Sequence, residues 1–117
     1  MHQIAHEFNF SETTFVFPPE QGQTKRVRIF TPTSEVPFAG HPNLGTAFTL
    51  YRNGYLGDAQ PPLQFVFEEE AGLVPVTITN PDDGYPFFEL QAPTPLSLGV
   101  EIRLELVSQA LNLPSSA

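Results

Sequence analysis

The run Gly40-His41-Pro42-Asn43-Leu44-Gly45-Thr46-Ala47-Phe48-Thr49-Leu50-Tyr51-Arg52-Asn53 reads as one helix, and the architecture follows from it. Proline at the start of a helix costs nothing, because its missing N–H would be unpaired there anyway. Gly54 is a natural C-terminal stop. Leu44, Ala47, Phe48, Leu50 and Tyr51 place apolar groups around most of the circumference, the pattern of a helix buried in an interior. Leu44, Phe48 and Tyr51 are therefore expected to be buried.

The segments on either side read as strands. Glu12 to Phe17 is rich in β-branched and aromatic residues and stops at Pro18-Pro19. After a polar turn, Arg26 to Thr31 alternates basic and apolar residues and stops at Pro32, so the two form a hairpin. Leu63 to Glu69 and Leu73 to Thr79 read as a second hairpin turning at Ala71-Gly72. Asn80-Pro81-Asp82-Asp83-Gly84 is a turn leading to a strand at Tyr85 to Gln91. Val100, Leu104, Val107 and Leu111 share a helical face and predict a closing helix that ends before Pro114. Residues 1 to 8 read as a helix without a capping residue ahead of Met1, so the chain is expected to begin inside an element. The sum is an α+β domain, with a strongly curved antiparallel or mixed sheet around one helix.

Composition narrows the function. The 117 residues are enough for one domain with a real core. Thirteen Asp and Glu against five Lys and Arg give a net charge of −8, which repels phosphate backbones, so no nucleic-acid partner is expected. The apolar runs fall short of the roughly 20 residues of a membrane span, so no membrane partner is expected either. The N-terminus lacks a basic stretch followed by an apolar one, and a cytoplasmic location is the expectation. There is no cysteine, which removes thiolate nucleophiles, disulfides and Cys-based zinc sites together. His2, His6 and His41 lack metal-ligand spacing, so no metal is expected.

Two features can carry chemistry. Glu12, flanked by Ser11, Thr13 and Thr14, can act as a general acid/base if its carboxylate is partly desolvated; the local pattern alone favours a solvated charge at a strand end. Gly40 to Leu44 can offer free N–H groups and the positive end of a helix dipole to an anion, with His41 alongside; locally, an ordinary helix start is the simpler reading. Glu68-Glu69-Glu70 reads as a solvated charge run at a hairpin tip. Asp82-Asp83-Gly84 lacks the spaced ligands of a calcium loop.

Ser11-Glu12-Thr13-Thr14-Phe15-Val16 resembles the Ser-Glu-Thr motif of the phenazine-biosynthesis PhzF family. Arg28-Ile29-Phe30-Thr31-Pro32, followed by Glu35-Val36-Pro37-Phe38-Ala39-Gly40-His41-Pro42, resembles that family's main fingerprint, in the same order and separation. The resemblance implies one half of a diaminopimelate-epimerase-like fold, a β-barrel-like sheet around a central helix. It also implies a cofactor-free proton shift on a small cyclic carboxylic acid of the dihydro-hydroxyanthranilate type. Glu12 and His41 are then the expected catalytic residues, and Ser11, Gly40, Asn43 and Leu44 the expected substrate contacts; Asn43 stands where Thr is common in the family. The resemblance further implies a first strand and a second domain that this chain lacks. A homodimer, or another chain, is expected to complete the cleft; the alternatives are a non-catalytic carboxylate-binding module and a structural half-domain.

Overall fold

The computed structural model describes residues 1–80 and 84–114. In chain order the elements are α1 (His2–Phe8), β1 (Thr13–Phe17), β2 (Lys25–Phe30), β3 (Glu35–Val36), α2 (Gly40–Arg52), β4 (Leu63–Glu69), β5 (Gly72–Thr79), β6 (Phe87–Leu90) and α3 (Leu104–Leu111). The strands form one mixed sheet in the order β1-β2-β4-β5-β6, with β3 paired to β2. Every pairing is antiparallel except β2 with β4, which run parallel over Lys25↔Phe67 and Arg26↔Glu68. A parallel pair needs a long crossover, and α2 lies within that crossover. The result is α+β, a curled half-barrel sheet with a helix against it.

Period-two alternation builds the core. Val27 and Ile29 on β2, Phe65 and Phe67 on β4, and Val74, Val76 and Ile78 on β5 pack with Ala47 and Leu50 of α2. Burying one such side chain fully contributes roughly 1.5–3 kcal/mol. Arg28, between Val27 and Ile29, points away from this core. It forms a bidentate pair with Glu35 on β3 at 2.7 and 2.6 Å and lies 5.1 Å from the Phe30 ring centroid. The Glu35 hydrogen bonds raise the Arg28 guanidinium above its ordinary value, and the same bonds lower the Glu35 carboxyl.

Four expectations need correction. First, α2 is not buried all round. Its buried residues Asn43, Thr46, Ala47 and Leu50 form a single stripe at i, i+3, i+4 and i+7. Leu44 and Tyr51 are half-buried and Phe48 is 49% exposed, with Phe48 and Tyr51 lying edge-on to Phe88 of β6. Among the described residues the sheet ends at β1 and β6, and so covers only part of the helix. Polar Asn43 and Thr46 occupy the inner stripe that apolar counting had given to Phe48.

Second, Glu68 is not a solvated turn residue. It is 2% exposed, and its carboxylate accepts the backbone N–H groups of Glu20, Gln21 and Gln23 at 2.6, 2.7 and 3.1 Å. Third, the closing helix begins at Leu104, leaving Val100 and Ile102 outside any helix or strand and exposed, and α3 buries only Ser108. Fourth, β3 was not expected, and β6 is shorter than the stretch 85 to 91. The turn expected at Asn80 to Gly84 lies largely outside the described residues.

Candidate functional site

β1 and α2 lie side by side, and the space between them is an open hollow of about 490 Å³. Glu12, Thr14 and Val16 line it from the strand side, because alternate residues of a strand share a face. His41, Pro42, Gly45, Thr46, Thr49 and Leu50 line it from the helix, where residues three and four apart stack on one face.

Glu12 Oε2 lies 3.3 Å from Nε2 of His41. The Glu12 side chain is 22% exposed and Oε2 itself is shielded from solvent without a well-aligned hydrogen bond, whereas the His41 side chain is 76% exposed. A sheltered carboxylate thus meets an imidazole on the solvent side, an arrangement in which a proton can pass between a ligand, the carboxylate and water.

Polar groups behind the pair are tied down. The Thr46 hydroxyl, in a residue 6% exposed, lies 2.8 Å from the Thr14 hydroxyl and 2.8 Å from the Pro42 carbonyl. Thr49 donates its hydroxyl proton to the Gly45 carbonyl at 2.8 Å. At the start of α2, Ala39 occupies the N-cap position in an extended conformation and supplies no side-chain cap. The first-turn N–H groups and the positive end of the helix dipole therefore remain free of a side-chain partner near His41.

Of the six residues expected at a site, the structure brings Glu12 and His41 together, with Gly40 opening α2 next to them. Ser11 is exposed and Leu44 half-buried, and neither lines the hollow. Asn43 is fully buried and turns inward toward Glu69, because position 43 falls on the core stripe of α2. Thr14, Gly45, Thr46 and Thr49 were missed. The signal was present in the spacing: Glu12, Thr14 and Val16 at period two, and His41, Gly45 and Thr49 at i, i+4 and i+8. Among the described residues no group of three or more His, Cys, Asp or Glu has metal-ligand geometry, and no helix is long and apolar enough to cross a membrane.

Residues 1–113 match the family described as phenazine biosynthesis-like protein. An uncharacterized isomerase of Mesorhizobium japonicum is 42% identical over 115 residues, covering 97% of this chain and 37% of that protein. The trans-2,3-dihydro-3-hydroxyanthranilate isomerase of Pseudomonas aeruginosa is 40% identical over 95 residues, covering 81% of this chain and 32% of that protein. The chain thus spans about a third of the length of these curated relatives. Among solved structures, a Bacillus anthracis phenazine biosynthesis protein of the PhzF family superimposes with a TM-score of 0.68 at 32% identity, over 77% of this chain and 29% of the other. A predicted epimerase from Pseudomonas aeruginosa matches with a TM-score of 0.74 over 97% of this chain and 40% of the other, at 23% identity, a likeness of fold. On the family match over residues 1–113 and these relatives, the chain belongs to the phenazine biosynthesis-like (PhzF) family.

Proposed function

We propose that this chain supplies the acid/base half of an isomerase that shifts a proton within a small cyclic carboxylic acid, without a cofactor. The observation that carries this reading is the 3.3 Å approach of Glu12 to His41 at the rim of the hollow. In this reading Glu12 removes a proton from one carbon of the ligand and returns it to another, and His41 keeps the carboxylate in place and exchanges protons with water. The ligand carboxylate sits against the free amides at the start of α2, near Gly40 and His41. The one relative above with a named substrate acts on trans-2,3-dihydro-3-hydroxyanthranilate, which has the required carboxylate and ring.

Carbon–carbon proton transfer also needs water excluded around the base. His41 is largely exposed and the hollow open, so a second chain or domain closes the site, and isolated chain turns over slowly. An apolar arm favours a second copy: Leu96, Leu98 and Val100 are each at least 90% exposed. The test is turnover of trans-2,3-dihydro-3-hydroxyanthranilate, followed by deuterium incorporation from heavy water, for the wild type and Glu12→Gln. Glu12-dependent incorporation is expected; efficient turnover that survives the substitution overturns the assignment. A carboxylate-binding module without catalysis is the outcome if ligand binds and no deuterium enters.

A further inference from the structure

Asn43 Oδ1 and Nδ2 and both carboxylate oxygens of Glu69 are buried without a well-aligned partner, and the two groups meet between α2 and the end of β4. Counting donors decides how they can pair. An ionised carboxylate only accepts, so it takes one hydrogen from Nδ2 and leaves Oδ1 without a donor. A protonated carboxyl gives its O–H to Oδ1 and takes the Nδ2 hydrogen on its other oxygen, and all four atoms are then satisfied. Burial favours the same state, pushing the Glu69 carboxyl up to about 7. The surroundings offer no substitute for that proton. Glu20, Glu35, Glu68 and Glu70 line the cleft beside Glu69, and both arginines there are committed, Arg28 to Glu35 and Arg26 to Glu20. Glu12 and His41 face the hollow, whereas Asn43 falls on the core stripe of α2.

The pair sits where α2 lacks its usual anchor. Ala39 supplies no side-chain cap, and a cap side chain is what commonly holds the first turn of a helix. Here the β4–β5 turn grips the chain on both sides of that start. The Ala71 N–H donates to the Pro37 carbonyl at 3.1 Å ahead of the helix, and Glu69 meets Asn43 within it. Gly40 and His41 lie between the two holds. Resting on the proton shift proposed for Glu12 and His41, we propose that Glu69 is a positioning residue for that reaction: protonated, it locks Asn43 and so keeps the first turn of α2, with His41 and its free amides, in place against Glu12. When Glu69 ionises, one bond of the two remains and the turn loosens. Glu69 itself touches no ligand in this scheme.

The test compares wild type with Glu69→Gln, whose side-chain amide can make both bonds to Asn43 at any pH. By NMR, the Asn43 side-chain amide of the wild type should shift with pH with a midpoint of about 7, and in Glu69→Gln it should stay constant. Exchange of the Leu44 amide, which closes a first-turn bond of α2, should be faster in wild type than in the variant at pH 8 and equal at pH 5. Deuterium incorporation into trans-2,3-dihydro-3-hydroxyanthranilate should likewise be equal at pH 5, with the variant about twofold to tenfold faster at pH 8, the worth of one net hydrogen bond. Comparison at one pH cancels the response of Glu12 and His41, which both proteins share. A pH-dependent Asn43 signal that persists in Glu69→Gln overturns the pairing. Glu12-dependent incorporation that is equal in both proteins at both pH values overturns the positioning role and leaves the isomerase reading standing. Incorporation by neither protein overturns that reading and the role of Glu69 in it together. Should Glu69→Gln fail to fold, the wild type decides alone: an Asn43 side-chain signal that does not respond between pH 5 and 8 refutes the proposal.

Discussion

The Asn43 amide and the Glu69 carboxylate meet inside the domain without a well-aligned hydrogen bond, an α2 side chain against the end of β4. Burial pushes the Glu69 carboxyl up to about 7, and the Asn43 contact opposes this only in part. Glu68, Glu70, Arg26 and Arg28 line the same cleft, but Arg28 is committed to Glu35 and Arg26 pairs with Glu20. A carboxyl raised above its unfolded value favours the fold below that value, near 4.5, and the benefit is lost as pH rises through about 7. Between pH 5 and 8 the wild type should lose roughly 1–2 kcal/mol, discounted for the partly exposed side chain. Glu69→Gln should flatten that slope and be more stable than wild type at pH 8. Urea unfolding of both proteins at the two pH values measures it; parallel pH profiles would contradict the burial argument.

Glu68 should behave with the opposite sign. Burial raises its carboxyl, but the amides of Glu20, Gln23 and Gln21 outweigh burial and hold it below the usual carboxylate range. Its contribution is therefore present above the ordinary carboxylate value and lost as pH falls through the depressed one. Glu68→Gln can accept through one oxygen only and should loosen the 20–23 loop. Hydrogen exchange reads this directly: protection of the Glu20, Gln21 and Gln23 amides should drop in the variant, most where an amide faces the new –NH2 group, while β5 amides keep theirs. Unchanged protection at all three would show that the loop is held by something else.

Phe67 and Phe48 separate the real core from the expected one. Phe67 is fully buried and Phe48 is 49% exposed, touching mainly the Phe88 ring. Phe67→Ala should cost about 3–5 kcal/mol, whereas Phe48→Ala should cost about 1 kcal/mol, the scale of one edge-on aromatic contact. Comparable losses in chemical denaturation would restore the all-round burial of α2 that the sequence suggested.

This contrast also shows what the sequence reveals. Strand positions were legible because Val27 with Ile29 and Val74 with Val76 and Ile78 alternate at period two, and proline or glycine marks the ends. The buried stripe of α2 was not, because Asn43 and Thr46 are polar and only tertiary contacts turn them inward. Glu68 was misread for the same reason: a run of three glutamates looks solvated until a distant loop folds its amides over one of them. At the site, Glu12 and His41 were legible through motif resemblance. Thr14 and Thr46 were not, since their hydroxyls matter only once β1 and α2 lie side by side.

The exposed arm predicts self-association. Leu96, Leu98, Val100 and Ile102 alternate along a segment without helix or strand, α3 buries only Ser108, and the radius of gyration is 18.3 Å. A compact domain of this size has a value of about 13 Å, so the arm stands away from the core. Exposed apolar surface of this extent marks an interface, and a two-fold pair is the commonest solution. Light scattering at tens of micromolar, roughly the range set by an affinity of 6–8 kcal/mol, should show a dimer or larger assembly. Leu98→Asp with Val100→Asp should shift it to monomer without loss of the β-sheet signal. A wild type that stays monomeric at those concentrations would exclude a second copy as the completing partner.

Glu12→Gln separates binding from chemistry at the proposed site. The substitution keeps the side-chain shape and a hydrogen-bond acceptor 3.3 Å from His41, but removes the negative charge and the titrating group. A carboxylate ligand seated at the start of α2 feels the Glu12 charge as repulsion, so its affinity should hold or rise in the variant. Proton transfer, which requires the base itself, should fall by about 10² to 10⁴-fold. The two readings therefore diverge in one pair of measurements, calorimetry for the ligand and deuterium incorporation for the reaction. Loss of affinity together with activity would mean that Glu12 holds the ligand and something else moves the proton. Retained affinity with abolished exchange is the expected result, and it places the chemistry on Glu12 independently of how the hollow is closed.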